Sequence, residues 1–325
     1  MGCCCLEVGS VVRVGVIFPG QGSQAVGMGA DVAASSPAAA ALFGTAKSVL
    51  GYDLLSVVTN GPEEKLRETR YSQPAIFVAN VALRAAVGNA LAPVVTAGHS
   101  FGEFCSLTIA NALPFESALA LVNERALAMQ HDAEQTAGGM SAVLGLDPDK
   151  LRGAVAAARE KTGRRVVLAT FNAPGQIVIS GDLDAVTLAG TLSLEAGAKR
   201  VVPLNVSGAW HSELMLEARE RFAKYVTDAS IVMPAFTVIS NVDAKPYEDV
   251  ATIKKNLVAS VTDPVMWDDT ANAMLGYELD LIVEFGASPV LSPLAKRLPN
   301  APKVVHVGDP GGVAKLVQTL GATAV

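Results

Sequence analysis

Residues 94–104 read Val-Val-Thr-Ala-Gly-His-Ser-Phe-Gly-Glu-Phe. An apolar, β-branched run enters a Gly-x-Ser-x-Gly turn, and an Ala/Leu-rich stretch follows. This is the layout of a nucleophile elbow, in which a strand ends, a serine is forced onto a tight turn, and a helix begins behind it. Gly98 and Gly102 are small enough to let strand and helix approach. Ser100 then sits at the tip, and the Phe101 amide faces whatever Ser100 attacks. A serine hydroxyl is a weak nucleophile at neutral pH, so acyl chemistry here requires a base within hydrogen-bond reach and donors for the oxyanion that forms. Gly-x-Ser-x-Gly alone also describes an ordinary strand-to-helix turn. The flanking strand and helix favour the catalytic reading.

The base has to be a histidine, and the chain has four: His99, His131, His211 and His306. His99 adjoins Ser100, but neighbouring side chains in an extended segment project apart, which assigns it to the pocket wall. His131 lies in the polar Gln130-His131-Asp132 and reads as a solvated helix end. Two candidates are left. His306, with Asp280 upstream, would complete the Ser-Asp-His chain order of an α/β-hydrolase and make a serine thioesterase or esterase; it also lies in an alternating apolar run, as a packed strand histidine would. His211 stands in the irregular Ser207-Gly208-Ala209-Trp210-His211-Ser212, where functional side chains are more often found. The histidines are too far apart for metal-ligand spacing, so no metal site is expected.

The elements that must carry these residues follow from periodicity. The continuous apolar run at 12–18 suits a strand buried on both faces of a parallel sheet, and 94–97, 238–241 and 281–285 are strand-like, the last two ending at polar or Gly residues. Helical spacing marks 33–50, 75–90, 102–112, 116–131 and 214–229. Between them, strands at 140–146, 166–171, 176–180 and 198–203 and helices at 148–162 and 182–196 give the order β-α-β-β-α-β of a ferredoxin-like unit. The expected fold is therefore α/β: a large α/β-hydrolase-like domain with a parallel sheet, discontinuous over 1–137 and 207–325, and an inserted ferredoxin-like small domain at 138–206.

The 325 residues are 50% hydrophobic and 17% charged, which permits a substantial core and argues against disorder. A net charge of −6 argues against a nucleic-acid partner. No apolar run reaches the length of a membrane span. Cys3, Cys4 and Cys5 are adjacent and Cys105 stands apart, which is no disulfide framework and suits a reducing compartment. Met1-Gly2-Cys3 invites a lipidation reading, but Leu6 stands where a myristoylation signal has Ser or Thr. A cytoplasmic location, or the matrix of a plastid or mitochondrion, is expected.

Several further motifs occur in order: Phe18-Pro19-Gly20-Gln21-Gly22-Ser23-Gln24, Ser72-Gln73-Pro74-Ala75, Gly98 to Glu103, Arg125 with Met129-Gln130, Phe171-Asn172-Ala173-Pro174-Gly175-Gln176, His211, Asn241-Val242-Asp243 and Glu284-Phe285-Gly286. With them the chain, from about Val14 to Arg297, resembles the malonyl-CoA:acyl carrier protein transacylases, acyltransferases of fatty acid and polyketide synthesis. The resemblance implies Ser100 as the acylated residue, His211 as its base, and the amides of Gln21 and Phe101 as the oxyanion hole. It assigns Arg125, His99, Trp210 and Asn172 to substrate binding, with the Arg125 guanidinium forked onto the free carboxylate of malonate. By position alone Arg125 also suits a helix surface. A main-chain carbonyl orients the imidazole in this family; the position often holds Gln, and here it is Ser260. The bulk of Trp210 leaves little room for an α-methyl branch, although a packing tryptophan fits the sequence equally. The implied partners are malonyl-CoA and acyl carrier protein, with no bound cofactor and a monomeric enzyme. Lys199-Arg200 and Lys296-Arg297 are candidate carrier-docking pairs, or ordinary solvated ones.

Overall fold

The computed structural model describes residues 12–322; Cys3, Cys4, Cys5 and the lipidation motif lie outside them. Among the described residues, nine strands form two sheets. The first contains β1 (Val14–Phe18), β2 (Pro93–Gly98), β7 (Thr237–Ile239), β8 (Leu281–Phe285) and β9 (Lys303–Val307), in the order β7-β2-β1-β8-β9. Every pairing in it is parallel. β1 and β8, two of its three inner strands, are buried at every residue. Helices cover both faces of such a sheet, which is why its inner strands show no polar alternation.

The second sheet is antiparallel and contains β3 (Gly138–Leu144), β4 (Val166–Ala173), β5 (Gln176–Asp182) and β6 (Arg200–Pro203) in the order β4-β5-β3-β6. Helices Pro148–Thr162 and Leu183–Glu195 pack beside each other against it. This is the ferredoxin-like arrangement expected from the element order. It has its own small core, built from Val143, Leu151, Val166, Ile177, Ile179 and Val186 among others.

Several boundaries differ from the periodicity reading. The helix expected over 33–50 is two, Ala30–Ser35 and Pro37–Leu50. Ser36 is the break: its backbone is extended, its hydroxyl accepts the Ala39 amide at 3.4 Å, and Pro37 occupies the first helical position, where a missing N–H costs nothing. The helix expected from 75 starts at Thr69, with Pro74 inside it. The helix expected over 102–112 ends at Ile109, and Asn111 turns the chain with φ 58°. A last helix, Pro310–Ala322, had no counterpart in the sequence reading.

Candidate active site

Strand β2 delivers Ser100, and the Gly102–Ile109 helix leaves it. Ser100 holds φ 54°, a left-handed conformation that non-glycine residues rarely adopt. The turn is that sharp because strand and helix nearly touch. A Cβ on Gly98 would lie 2.0 Å from the Gly102 carbonyl carbon, and one on Gly102 would lie 2.5 Å from the Phe18 carbonyl oxygen. Asn241, two residues beyond β7, straps the turn from outside: its Oδ1 accepts the Ser100 N–H at 2.6 Å, and its Nδ2 donates to the Ser100 carbonyl at 3.3 Å.

Of the two candidate bases, the fold brings His211 to Ser100. The Ser100 hydroxyl and His211 Nε2 are 2.8 Å apart. His211 also has a left-handed backbone, φ 57°, in the segment that returns from β6 to the large sheet. Its Nδ1 lies 3.1 Å from the Asp263 carbonyl oxygen, so Nδ1–H donates there and Nε2 is free to accept from the hydroxyl. The expectation placed on Ser260 holds in part. The Ser260 carbonyl faces the ring as a weaker second influence, but the hydrogen bond goes to Asp263, three residues further on, past the end of the Val250–Ala259 helix. Burial, with the positive charge of Arg125 and the nearby His99, pushes His211 down to about 3. The imidazole is therefore neutral at physiological pH and able to take a proton.

His306 is elsewhere. It lies on β9 with Nε2 2.7 Å from the Gly286 carbonyl, and Asp280 is at the surface accepting the Arg13 amide. The Ser-Asp-His alternative is thus not assembled. His131 is exposed, as its polar neighbourhood suggested.

A pocket of about 210 Å³ opens in front of Ser100 and His211, lined among others by Gln21, Gln73, Arg125, Asn172 and Trp210. Arg125 points into it from the Phe115–Gln135 helix and is only 1% exposed. Its Nη1 donates to Gln73 Oε1 at 2.9 Å, while Nε and Nη2 have no partner among the described residues. No carboxylate lies within ion-pairing distance of it there. Burial lowers its pKa to about 9, with Glu103 opposing, so the group stays charged at neutral pH. A buried cation with two idle donors is costly unless an anion completes it. His99 lies in the pocket wall, its Nε2 2.9 Å from Asn172 Oδ1. Trp210 is buried beside His211, and its indole N–H has no partner among the described residues. The main-chain amides of Gln21 and Phe101 donate to no protein acceptor among the described residues. Among those residues there is also no cluster of His, Cys, Asp or Glu suited to a metal ion.

Three contributors escaped the sequence reading in their roles. Gln73 and Asn241 stood inside quoted motifs without a function. The Asp263 carbonyl has no signature, because every residue carries one.

The acyl transferase domain family matches residues 16–308. Over 310 residues the chain is 38% identical to a malonyl CoA-acyl carrier protein transacylase of Bacillus subtilis, covering 95% of this chain and 97% of that protein. It is 36% identical to the Escherichia coli K12 protein of the same name over 304 residues, covering 93% and 98%. Among solved structures, an acyl carrier protein S-malonyltransferase from Vibrio cholerae superposes with a TM-score of 0.89 at 38% identity, covering 94% of this chain and 99% of that one. A malonyl-transacylase solved in complex with a type II polyketide synthase acyl carrier protein superposes with a TM-score of 0.90 at 35% identity, again covering 94% and 99%. With serine, imidazole and unpaired guanidinium gathered in one pocket and likeness running along nearly its whole length, the chain belongs to the malonyl CoA-acyl carrier protein transacylases of the acyl transferase family.

Proposed function

We propose that this protein transfers the malonyl group of malonyl-CoA to the phosphopantetheine thiol of acyl carrier protein, for fatty acid biosynthesis, through a malonyl ester on Ser100. His211 Nε2 takes the Ser100 proton as Oγ attacks the thioester carbonyl. The negative charge that develops on the carbonyl oxygen is met by the amides of Gln21 and Phe101. The tetrahedral intermediate collapses, and the proton on His211 passes to the departing CoA sulfur. The carrier thiol then attacks malonyl-Ser100 with His211 as base, and Ser100 leaves with that proton. Over the cycle one thioester is exchanged for another and the enzyme is restored.

The observation that carries the substrate assignment is Arg125, buried with two unpartnered nitrogens in the pocket that holds Ser100. Its planar fork matches a carboxylate, and an uncharged acyl group would leave it unpaired. Trp210 flanks the same space and favours malonyl over an α-methyl-branched acyl group. The polyketide carrier bound by one structural relative makes polyketide synthesis the second reading.

No single helix among the described residues is long and apolar enough to cross a membrane. We place the enzyme in the cytoplasm or an organellar matrix and read it as a monomer acting on these two partners alone, with neither nucleic acid nor membrane involved. Mass spectrometry after mixing with malonyl-CoA tests the central reading. A malonyl adduct on Ser100 is expected, discharged by a holo fatty-acid carrier protein more readily than by a polyketide carrier. Label retained on Ser100→Ala, or loss of the adduct to water in preference to the carrier thiol, defeats it.

A further inference from the structure

Glu103 is a buried carboxyl that the reaction above does not use. It sits in the first turn of the helix that leaves Ser100, 2% exposed, with no cation paired to it among the described residues. Three donors converge on it: the Asn241 backbone N–H at 3.1 Å, the Asn241 side-chain Nδ2, and the Tyr247 hydroxyl. Asn241 is the residue whose side chain brackets Ser100 through both its N–H and its C=O.

The polarity of this chain of groups matters. A side-chain amide is nearly symmetric in shape, so what it faces decides which end points where. With three donors converging on it, Glu103 faces Asn241 as an acceptor, although burial pushes its carboxyl up to about 7. Glu103 therefore takes the Nδ2 end of Asn241 and leaves Oδ1 as the only end available to the Ser100 N–H. With the amide reversed, N–H groups would oppose each other at Ser100, and two acceptors would oppose each other at Glu103. We infer that Glu103 is a positioning residue for Ser100: by fixing the orientation of the Asn241 amide, it holds the nucleophile in its left-handed backbone conformation and keeps the Ser100 N–H engaged, so that Phe101 presents the donor next to the reacting carbonyl. A left-handed non-glycine residue is strained and persists only where its surroundings impose it.

The inference rests on Ser100 being the nucleophile of the proposed transfer, so the test reads Ser100 with and without the proposed substrate. One readout is the rate at which a fluorophosphonate, a serine-directed probe with no malonyl group, labels Ser100. The other is the rate and KM of malonyl-Ser100 formation from malonyl-CoA. Glu103→Ala is expected to slow both acylations by about tenfold or more, with KM for malonyl-CoA changing by less than about twofold. Glu103→Gln keeps an acceptor for Asn241 and is expected to restore both rates to within about twofold. In an Asn241→Ala background, Glu103→Gln and Glu103→Ala are expected to be equivalent, because the group they act through is gone. If Glu103→Ala does not fold, Glu103→Gln measured against Asn241→Ala still decides. Wild-type rates in folded Glu103→Ala, a loss in Glu103→Gln as deep as in Asn241→Ala, or additive losses in the double variants would overturn the inference. Probe labelling that depends on Glu103, without any malonyl adduct on the wild type, would sustain it while defeating the malonyl reading.

Discussion

At the scale of single residues, the pocket is built around two groups whose charge states are set by burial. Arg125 is kept charged but incomplete, and His211 is kept neutral. Removing the cation should therefore separate substrates. Arg125→Ala is expected to lower kcat/KM for malonyl-CoA by about 10²–10³-fold, since a carboxylate left unpaired in a buried site costs about 3–5 kcal/mol. The same variant should handle acetyl-CoA nearly as well as the wild type does. Arg125→Lys, which keeps the charge without the fork, should fall between the two on malonyl-CoA. Parallel transfer assays with the two thioesters check this, and equal losses on both would break the argument. A second expectation concerns pH. His211 is depressed from its ordinary 6.5 to about 3 by burial first and by Arg125 second. A depressed imidazole keeps its base form as pH falls, so the acid limb of kcat/KM should lie well below 6.5. Measured with acetyl-CoA, which has no carboxylate to titrate, the limb of Arg125→Ala should shift upward, because a neighbouring positive charge no longer opposes protonation. It should stay below 6.5, because burial remains.

At the scale of elements, the elbow is a packing problem solved by two glycines. Gly98→Ala would place a methyl 2.0 Å from the Gly102 backbone, where no flexible side chain can give way. The variant is expected to lose its cooperative melting transition or to fall in stability by more than about 3 kcal/mol. Gly44, exposed in the middle of the Pro37–Leu50 helix with nothing within 4 Å of where an added methyl would sit, should respond oppositely. Gly44→Ala is expected to stabilise by about 0.5–1 kcal/mol through helix propensity alone. Thermal denaturation of both variants checks the contrast. The elements themselves were largely legible. β1 announces itself as an unbroken apolar run, β2 and β8 as apolar runs interrupted by Thr96 and Glu284, and the small sheet by its six elements in ferredoxin-like order. What periodicity missed was punctuation: Ser36-Pro37 splits a helix inside an Ala-rich run that reads as continuous. The site was legible only in part. Gly98 to Gly102 pointed to Ser100, because a sharp turn needs small residues. Nothing in residue types alone separated His211 from His306, since the choice depends on which loop the chain returns to β2. The position of Arg125 suited a surface as well as a pocket until its helix was docked. Of the carbonyls facing His211, Asp263 is the stronger partner and Ser260 the weaker, because main-chain acceptors are fixed by local geometry and carry no side-chain signal.

At the scale of the whole molecule, the pocket exists because the two sheets are held across it, and the ties between them are unequal. Residues of the small sheet, Met140, Asn172 and Val178, line one wall, while Ser100 and Arg125 come from the large unit. One tie is a main-chain bridge beside β4: the Phe171 amide donates to the Val265 carbonyl at 2.8 Å, and the Val265 amide to the Ala169 carbonyl at 2.9 Å. Another is the Arg159–Glu213 ion pair at 3.0 Å, its side chains 40% and 42% exposed. The bridge is buried at Val265 and lies two residues from Asp263, whose carbonyl orients His211. The ion pair also lies two residues from His211, on the other side, yet water screens it. Exposed pairs contribute about 0–1 kcal/mol, whereas a buried carbonyl stripped of its donor costs about 1–3 kcal/mol. Proximity to His211 is thus matched and burial is not. Val265→Pro, which removes the donor to Ala169, should lower both stability and the rate of Ser100 acylation. Arg159→Ala, Glu213→Ala and their double variant should leave that rate close to wild type and couple by no more than about 1 kcal/mol. Melting curves and single-turnover acylation rates on the four variants distinguish the two ties. If the ion-pair variants slowed acylation while Val265→Pro did not, the exposed pair and not the buried bridge would be what sets His211 against Ser100.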